Sequence, residues 1–289
     1  MKILFISLGC DKNLADTEMM LGTLVQRGFS ITDDEAQAQA VVVNTCCFIN
    51  DAKQESINTL LEMAELRKSG AVKALIAAGC LAQRYREEIQ KEIPEVDVIV
   101  GTTAIDAIAD ALEEVLAGKP QNYLKDISHM PAVYDHSAEH KRIVTTGGHY
   151  AYLKIAEGCD KHCSYCIIPK VRGHYRSIPM EELILEAERL VSFGAKEIIL
   201  VAQETTLYGM DLYGEKRLPE LLKRLCAIAG VYWIRLLYCY PEEITDELIE
   251  TIRTQDKVCS YLDIPIQHAS DRILKRMGRR TDRQELTDI

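Results

Sequence analysis

The sequence predicts an α/β protein in two parts: an N-terminal doubly wound parallel sheet, then a partial, incomplete βα barrel. Three observations carry that expectation. Apolar runs of strand length, such as KILFIS (Lys2–Ser7) and AVVVNT (Ala40–Thr45), are nearly continuous rather than alternating, as in strands buried on both faces. They alternate with helical patterns, which implies parallel strands covered by helices. Between residues 118 and 148 the pattern stops, at Gly118, Pro120 and Pro131, and the chain divides there.

In the first part, residues 1–117, the strand Lys2–Ser7 leads to a helix over 14–27. The strand Ala40–Thr45 leads to a helix over 51–67, with Ile57, Leu60, Leu61 and Ala64 on its apolar face. A strand at 72–78, a helix at 81–93, a strand at 96–100 and a helix at 103–116 complete it. Residues 118–148 read as a linker with room for one hairpin. Its His129, His136 and His140 are taken for solvated loop residues rather than metal ligands. The second part, 149–289, has strands at 151–156, 197–202, 232–237 and 261–264. Helices follow at 179–193, 219–228, 244–254 and from Ser270. Four βα units leave the last strand as an unpaired edge, so the array reads as a barrel cut short.

The 289 residues are 47% hydrophobic, enough for one large core or two ordinary ones. No apolar run approaches the ~20 residues of a membrane helix. The opening MKILFISLGCDKN meets Asp11 and Lys12 with no small-residue cleavage site, and reads as a buried strand rather than a leader. These features predict a cytoplasmic protein with no membrane attachment. Ten cysteines in a reducing compartment are then core residues, metal ligands or catalytic thiols, not a disulfide framework. The formal net charge of −10 argues against direct nucleic-acid binding and suits a basic protein partner.

The stretch GCDKHCSYCIIP places Cys159, Cys163 and Cys166 at C-x3-C-x2-C spacing. Structural zinc takes four closed ligands, usually as two C-x2-C pairs, and no second pair exists here. A redox C-x-x-C would use Cys163 and Cys166 and leave Cys159 unexplained. Three thiolates on a four-iron cube leave one iron open to an outside ligand. The amine and carboxylate of S-adenosylmethionine can chelate that iron. The loop also follows the first strand of a βα barrel, the end where barrel sites lie. Tyr165 can lay its ring by the adenine. The triplet with an aromatic at that place resembles the signature of radical S-adenosylmethionine enzymes, and the resemblance implies polar groups for the cofactor's amine after the second strand, where Gln203 and Glu204 are the candidates. His268, after the fourth, reads equally well as a pocket histidine or as an acid or base.

A second triplet is scattered. Cys10 follows KILFIS, Cys46 follows VVVNT and Cys80 follows ALIAAG, each just past a different strand, at the edge where ligands of open α/β sheets gather. The expected reading is a second cluster. Cys46 and Cys47 are adjacent, and spacing does not choose between them. Lys12, Asn13, Asp16 and Glu18 surround the first loop, where helix capping and a solvated first turn account for them equally well. No general base is assignable. The basic run Arg272, Lys275, Arg276, Arg279, Arg280 and Arg283 reads as a solvated helix face.

Five ordered motifs, SLGCDKNLADTE (7–18), VVVNTCCFIN (41–50), AAGCLAQRY (77–85), GCDKHCSYCIIPKVRGHYRS (158–177) and LDIPIQHASDRILKRMGR (262–279), together resemble the radical methylthiotransferases over nearly the whole chain. The resemblance aligns Cys46 with the ligand and puts Cys47 where the family usually carries glycine. It implies two [4Fe-4S] clusters and S-adenosylmethionine. The cluster on Cys159, Cys163 and Cys166 would reduce the cofactor, whose radical takes hydrogen from the target carbon. The cluster on Cys10, Cys46 and Cys80 would hold the sulfur delivered as methylthio. Ser7-Leu8 and Lys12-Asn13-Leu14 around Cys10 look like the branch that modifies a ribosomal protein. The implied target is the β-carbon of an aspartate in the twelfth protein of the small subunit, with a flavodoxin-type electron donor. The alternative branch modifies an adenosine of transfer RNA. The family also carries later barrel units and a TRAM domain that these residues do not include, so the chain reads as C-terminally truncated.

Overall fold

The apolar runs at the start of the chain become the centre of a parallel sheet. A computed structural model describes residues 1–134 and 142–289. They fall into two units, Met1–Ile143 with Lys170–Arg172, and Val144–Pro169 with Gly173–Ile289. His136 and His140 lie outside the described residues.

The first unit runs β1 (Lys2–Ser7), α1 (Asp11–Gln26), β2 (Ser30–Thr32), β3 (Ala40–Thr45), α2 (Asn50–Lys68), β4 (Leu75–Ala78), α3 (Gly79–Arg84), α4 (Arg86–Glu92), β5 (Val98–Val100) and α5 (Ile108–Leu116). The strands are parallel in the order β2-β1-β3-β4-β5. That is a doubly wound sheet whose order reverses between β1 and β3, so a crevice opens at their carboxyl ends. Every residue of β3 is buried, which is why its sequence lacks alternation.

Several expectations shift. The helix expected over 81–93 is two helices, parted at Tyr85, whose dihedrals (φ −119°, ψ 33°) leave the helical region. On α2 the buried face is Ser56, Leu60, Met63 and Ala64, and Leu61 is 47% exposed. The three-residue edge strand β2 was too short to show a pattern. No hairpin occurs among the described residues of 118–148. Instead Tyr123 bridges Val100 in parallel, and a 3-10 turn at Ala132–Tyr134 buries Val133 and Tyr134.

The second unit contains β6 (Tyr150–Lys154), β7 (Ala156–Glu157), the start of α6 (Ile168–Arg172), β8 (Arg176–Ser177), α7 (Met180–Ser192), β9 (Glu197–Val201), α8 (Met210–Tyr213), α9 (Leu218–Cys226), β10 (Trp233–Leu236), α10 (Asp246–Thr254), β11 (Val258–Leu262), α11 (Asp271–Arg276) and α12 (Arg283–Asp288). Its main sheet is parallel in sequence order, β6-β9-β10-β11, the wall of a partial βα barrel. Leu183, Ala187 and Leu190 of α7 and Leu218, Leu221, Leu222 and Leu225 of α9 are buried. The fourth strand starts three residues earlier than the expected 261–264. Val258 pairs with Ile234, and the apolar signal of Ile264 and Ile266 belongs to the loop around Pro265, which has no N–H to give a ladder.

Burial separates two adjacent leucines of α2 in a testable way. Leu60→Ala should lower the stability of the first unit by about 2–5 kcal/mol, whereas Leu61→Ala should stay within about 0.5 kcal/mol. Denaturant unfolding of the two variants checks this.

Candidate metal centres

Cys10, Cys46 and Cys80 all stand at the carboxyl edge of the first sheet, after β1, β3 and β4. The first two flank the crevice where the strand order reverses. Gly9 (φ +91°) brings the Cys10 turn against Cys46: a Cβ on Gly9 would lie 2.6 Å from the Cys46 Cβ and 2.8 Å from its Sγ. Asn13 fixes the approach, its Nδ2 donating to Leu8 O (2.9 Å) and Thr45 O (3.0 Å). The Thr45 hydroxyl donates to Ala78 O at 2.5 Å and accepts from Ala82 N, which ties the Cys46 turn to the helix bearing Cys80. Ser56 accepts from Cys46 N and donates to Cys46 O.

The thiols differ in setting. Cys10 is exposed, while Cys46, Cys47 and Cys80 are buried. Burial raises the pKa of Cys46 and Cys47, and pushes Cys80 up to about 12 against the opposing pull of Arg172. Arg172, 2% exposed, donates from Nε to Cys80 Sγ at 3.3 Å, from Nη1 to Asp16 at 2.6 Å and from Nη2 to Asn13 Oδ1 at 2.5 Å. A cavity of about 560 Å³ opens beside Cys10 and Cys46, walled by Phe48, Asp51 and Glu55. Lys12, Asn13, Asp16 and Glu18 are all buried, so the solvated first turn allowed by the sequence does not form. Glu18 is held by Arg142 at 2.6 and 2.9 Å.

In the second unit, Cys159, Cys163 and Cys166 lie on the loop after β6 and β7. Cys159 and Cys163 are buried, and Cys166 is half-buried. Gly158 (φ +81°) lets the loop start: a Cβ there would lie 2.1 Å from His174 O and 2.6 Å from Gly173 O. Cys159 N donates to Gly173 O, Lys161 N to Cys159 Sγ (3.4 Å) and Cys166 N to Cys163 O. Burial pushes Cys159 up to about 11 and also raises Cys166. The Tyr240 hydroxyl and the Arg279 Nη1 each lie 3.8 Å from Cys163 Sγ. Arg279 stacks over the Tyr240 ring at 4.3 Å and is buried, so it leaves the solvated face to Arg272, Lys275, Arg276, Arg280 and Arg283.

The candidate cofactor residues part ways. Gln203 is committed at both ends, Oε1 accepting from Gly158 N (2.8 Å) and Nε2 donating to Glu157 (2.6 Å). Glu204 is fully buried. Its Oε1 accepts from Thr206 N, and its Oε2 has no hydrogen-bond partner among the described residues. Burial raises its carboxyl to about 7, with Thr206 and Lys161 pulling the other way. Tyr165 is 49% exposed beside the thiols. His268 is exposed, its Nδ1 accepting from Ser270 N. Sequence reasoning assigned no role to Arg172 or Tyr240, because the thiols they meet lie 92 and 77 positions away.

The donor chemistry fits iron–sulfur clusters. Among the described residues no group of three or more His, Cys, Asp or Glu is arranged to hold one metal ion. A cube asks for something else, one thiolate on each of three irons. A guanidinium on Cys80 is a partner suited to a thiolate rather than a thiol, and the orphaned Glu204 Oε2 suits an ammonium.

In the second unit a C-x3-C-x2-C loop follows the first strand of a parallel βα array, as expected of a radical S-adenosylmethionine protein. Residues 153–289 match the Radical SAM superfamily, and residues 2–101 match the uncharacterized protein family UPF0004. The ribosomal protein uS12 methylthiotransferase RimO of Lachnoclostridium phytofermentans is 62% identical over the whole chain, and that of Acetivibrio thermocellus 52%. The chain belongs to the radical S-adenosylmethionine methylthiotransferase family. It spans 64% of the length of either relative. Among solved structures, the radical S-adenosylmethionine methyltransferase TsrM of Kitasatospora setae aligns over 99% of this chain and 64% of its own, with TM-score 0.65 at 13% identity. The cobalamin-dependent enzyme OxsB aligns over 98% of this chain and 46% of its own, with TM-score 0.62 at 12% identity. These two likenesses bear on the fold alone.

Two glycines at positive φ test the tightness of the second loop. Gly158→Ala meets backbone oxygens that cannot swing away, whereas Gly214→Ala (φ +75°) meets nothing within 4 Å. Gly214→Ala should cost about 1–2 kcal/mol, and Gly158→Ala should cost more and expose the thiol loop. Thermal unfolding and the rate of thiol alkylation distinguish them.

Proposed function

We propose that this chain forms the cluster-bearing part of an enzyme that methylthiolates the β-carbon of an aspartate in ribosomal protein uS12. What carries the reading is two sets of three thiols, each gathered at the carboxyl edge of parallel strands, in a chain 62% identical to a RimO enzyme. Cys10, Cys46 and Cys80 would hold one [4Fe-4S] cluster, and Cys159, Cys163 and Cys166 the other. Bound there, the clusters and S-adenosylmethionine supply the one-electron and sulfur chemistry that replaces an unactivated C–H bond. The protein's part is to bind and orient. Glu204 would offer its unpartnered carboxylate oxygen to the cofactor's ammonium, and Tyr165, half exposed, would lay its ring by the adenine. Gln203 serves one step back, holding Gly158 and so the start of the thiol loop.

The −10 charge favours a basic ribosomal protein over transfer RNA as substrate. No helix among the described residues is long and apolar enough to cross a membrane. A cytoplasmic site of action and a small flavodoxin-type electron donor accord with the reading.

Anaerobic loading with iron and sulfide should give about eight irons per chain, falling to about four in Cys159→Ala and in Cys10→Ala. Cys46→Ala should lose the first cluster and Cys47→Ala should keep it. One cluster lost only with Cys159 would sink the methylthiotransferase reading, and mass spectrometry of uS12 and of transfer RNA after turnover separates the two substrates. Glu204→Gln should keep all the iron yet bind S-adenosylmethionine about tenfold more weakly or worse, as expected for one charged hydrogen bond. Equilibrium dialysis measures that.

A further inference from the structure

We infer that Arg172 sets the reduction potential of the cluster on Cys10, Cys46 and Cys80, donating a charged hydrogen bond to the Cys80 sulfur while Asp16 limits how much of its charge the sulfur feels. The inference rests on the two-cluster reading and adds to it a residue that is not a ligand.

The geometry is specific. Each of the three guanidinium nitrogens meets a different acceptor: Nε the Cys80 Sγ, Nη1 the Asp16 carboxylate and Nη2 the Asn13 carbonyl. With three acceptors around one planar fork, the group cannot rotate without breaking at least two bonds. Arg172 and Asp16 are each only 2% exposed, so water screens neither charge. The carboxylate is held in turn by the Tyr134 hydroxyl.

This ion pair is well placed and costly. Burying two charges gains little stability over apolar residues of the same size, so stability alone does not explain it. Its position does. The positive end touches a ligand sulfur, and the negative end is displaced from it by the width of the guanidinium. Reduction adds one electron to a cluster already surrounded by thiolates. A donor on sulfur stabilises that added charge, and hydrogen bonds to the sulfurs and net charge are among the factors that set such potentials.

The two charges should therefore act in opposite directions, which mere disturbance of packing would not produce. The test uses the full chain carrying Cys159→Ala, Cys163→Ala and Cys166→Ala, loaded anaerobically with iron and sulfide so that only the first site is filled. Iron content and a midpoint from a spectroscopically monitored redox titration are measured for this parent and its variants. The parent should hold about four irons. Arg172→Gln should move the midpoint to a more negative potential, Arg172→Lys should fall between, and Asp16→Asn should move it to a more positive one. Full iron with unmoved midpoints, or shifts of one sign in Arg172→Gln and Asp16→Asn, overturns the inference alone. If Arg172→Gln holds no iron, Asp16→Asn decides: a positive shift supports the inference, and an unmoved or negative one overturns it. A parent whose iron does not depend on Cys80 overturns the cluster reading, and the inference with it.

Discussion

The first unit is organised around one buried amide. Asn13 uses both protons of its side-chain nitrogen, on Leu8 O and Thr45 O, and its carbonyl accepts from Arg172. Its own backbone carbonyl accepts from the Asn44 amide. Those bonds join the turn after β1, the turn after β3 and the guanidinium that meets Cys80. No other side chain of that size has two donors and an acceptor in this arrangement. An aspartate would keep the shape and lose both donors, stranding two carbonyls. The thiols are therefore held in place by a residue that is not a ligand.

Much of this was readable from the chain, for a definite reason. Strands buried on both faces write themselves as runs such as VVVN, and a cysteine that ends such a run is displayed at the sheet edge whatever the helices do. Cys10, Cys46 and Cys80 could thus be assigned to one edge before any coordinates. That β1, β3 and β4 are neighbours could not, because strand order lives in long-range pairing. Nor could the fate of polar residues. Asp16, Glu18 and Arg279 look like surface residues in a local window and are buried by partners far away in sequence. Short elements also escaped: β2 has three residues and Tyr85 breaks a helix with no proline or glycine. The Leu61 error is of another kind. Leu61 adjoins Leu60 on a helix whose apolar face is narrow, and one position of rotation separates core from solvent.

Each candidate centre pairs buried thiols with a buried guanidinium, yet not in the same way. Arg172 meets its sulfur at 3.3 Å and is countered by a carboxylate. Arg279 stands 3.8 Å from Cys163, stacks on Tyr240 and gives its other nitrogen to Pro265 O. Of the carboxylates near the second thiol loop, Glu242 and Glu243 pair with Lys161, whereas Glu204 keeps one oxygen without a hydrogen-bond partner among the described residues. The two sulfur environments therefore differ in charge balance, as suits two cofactors with different tasks.

Lys170–Arg172 belong to the first unit although residues 144–169 of the second precede them in the chain. This places a constraint on biosynthesis. A nascent chain released only as far as residue 143 carries every thiol of the first centre but lacks the cation that partners Asp16 and Cys80. Its buried carboxylate would lack that cation, and Cys80 its guanidinium, until the ribosome has delivered the start of the next unit. At roughly 5–20 residues per second that interval lasts on the order of seconds. Closure of the first unit is thus coupled to the synthesis of the second.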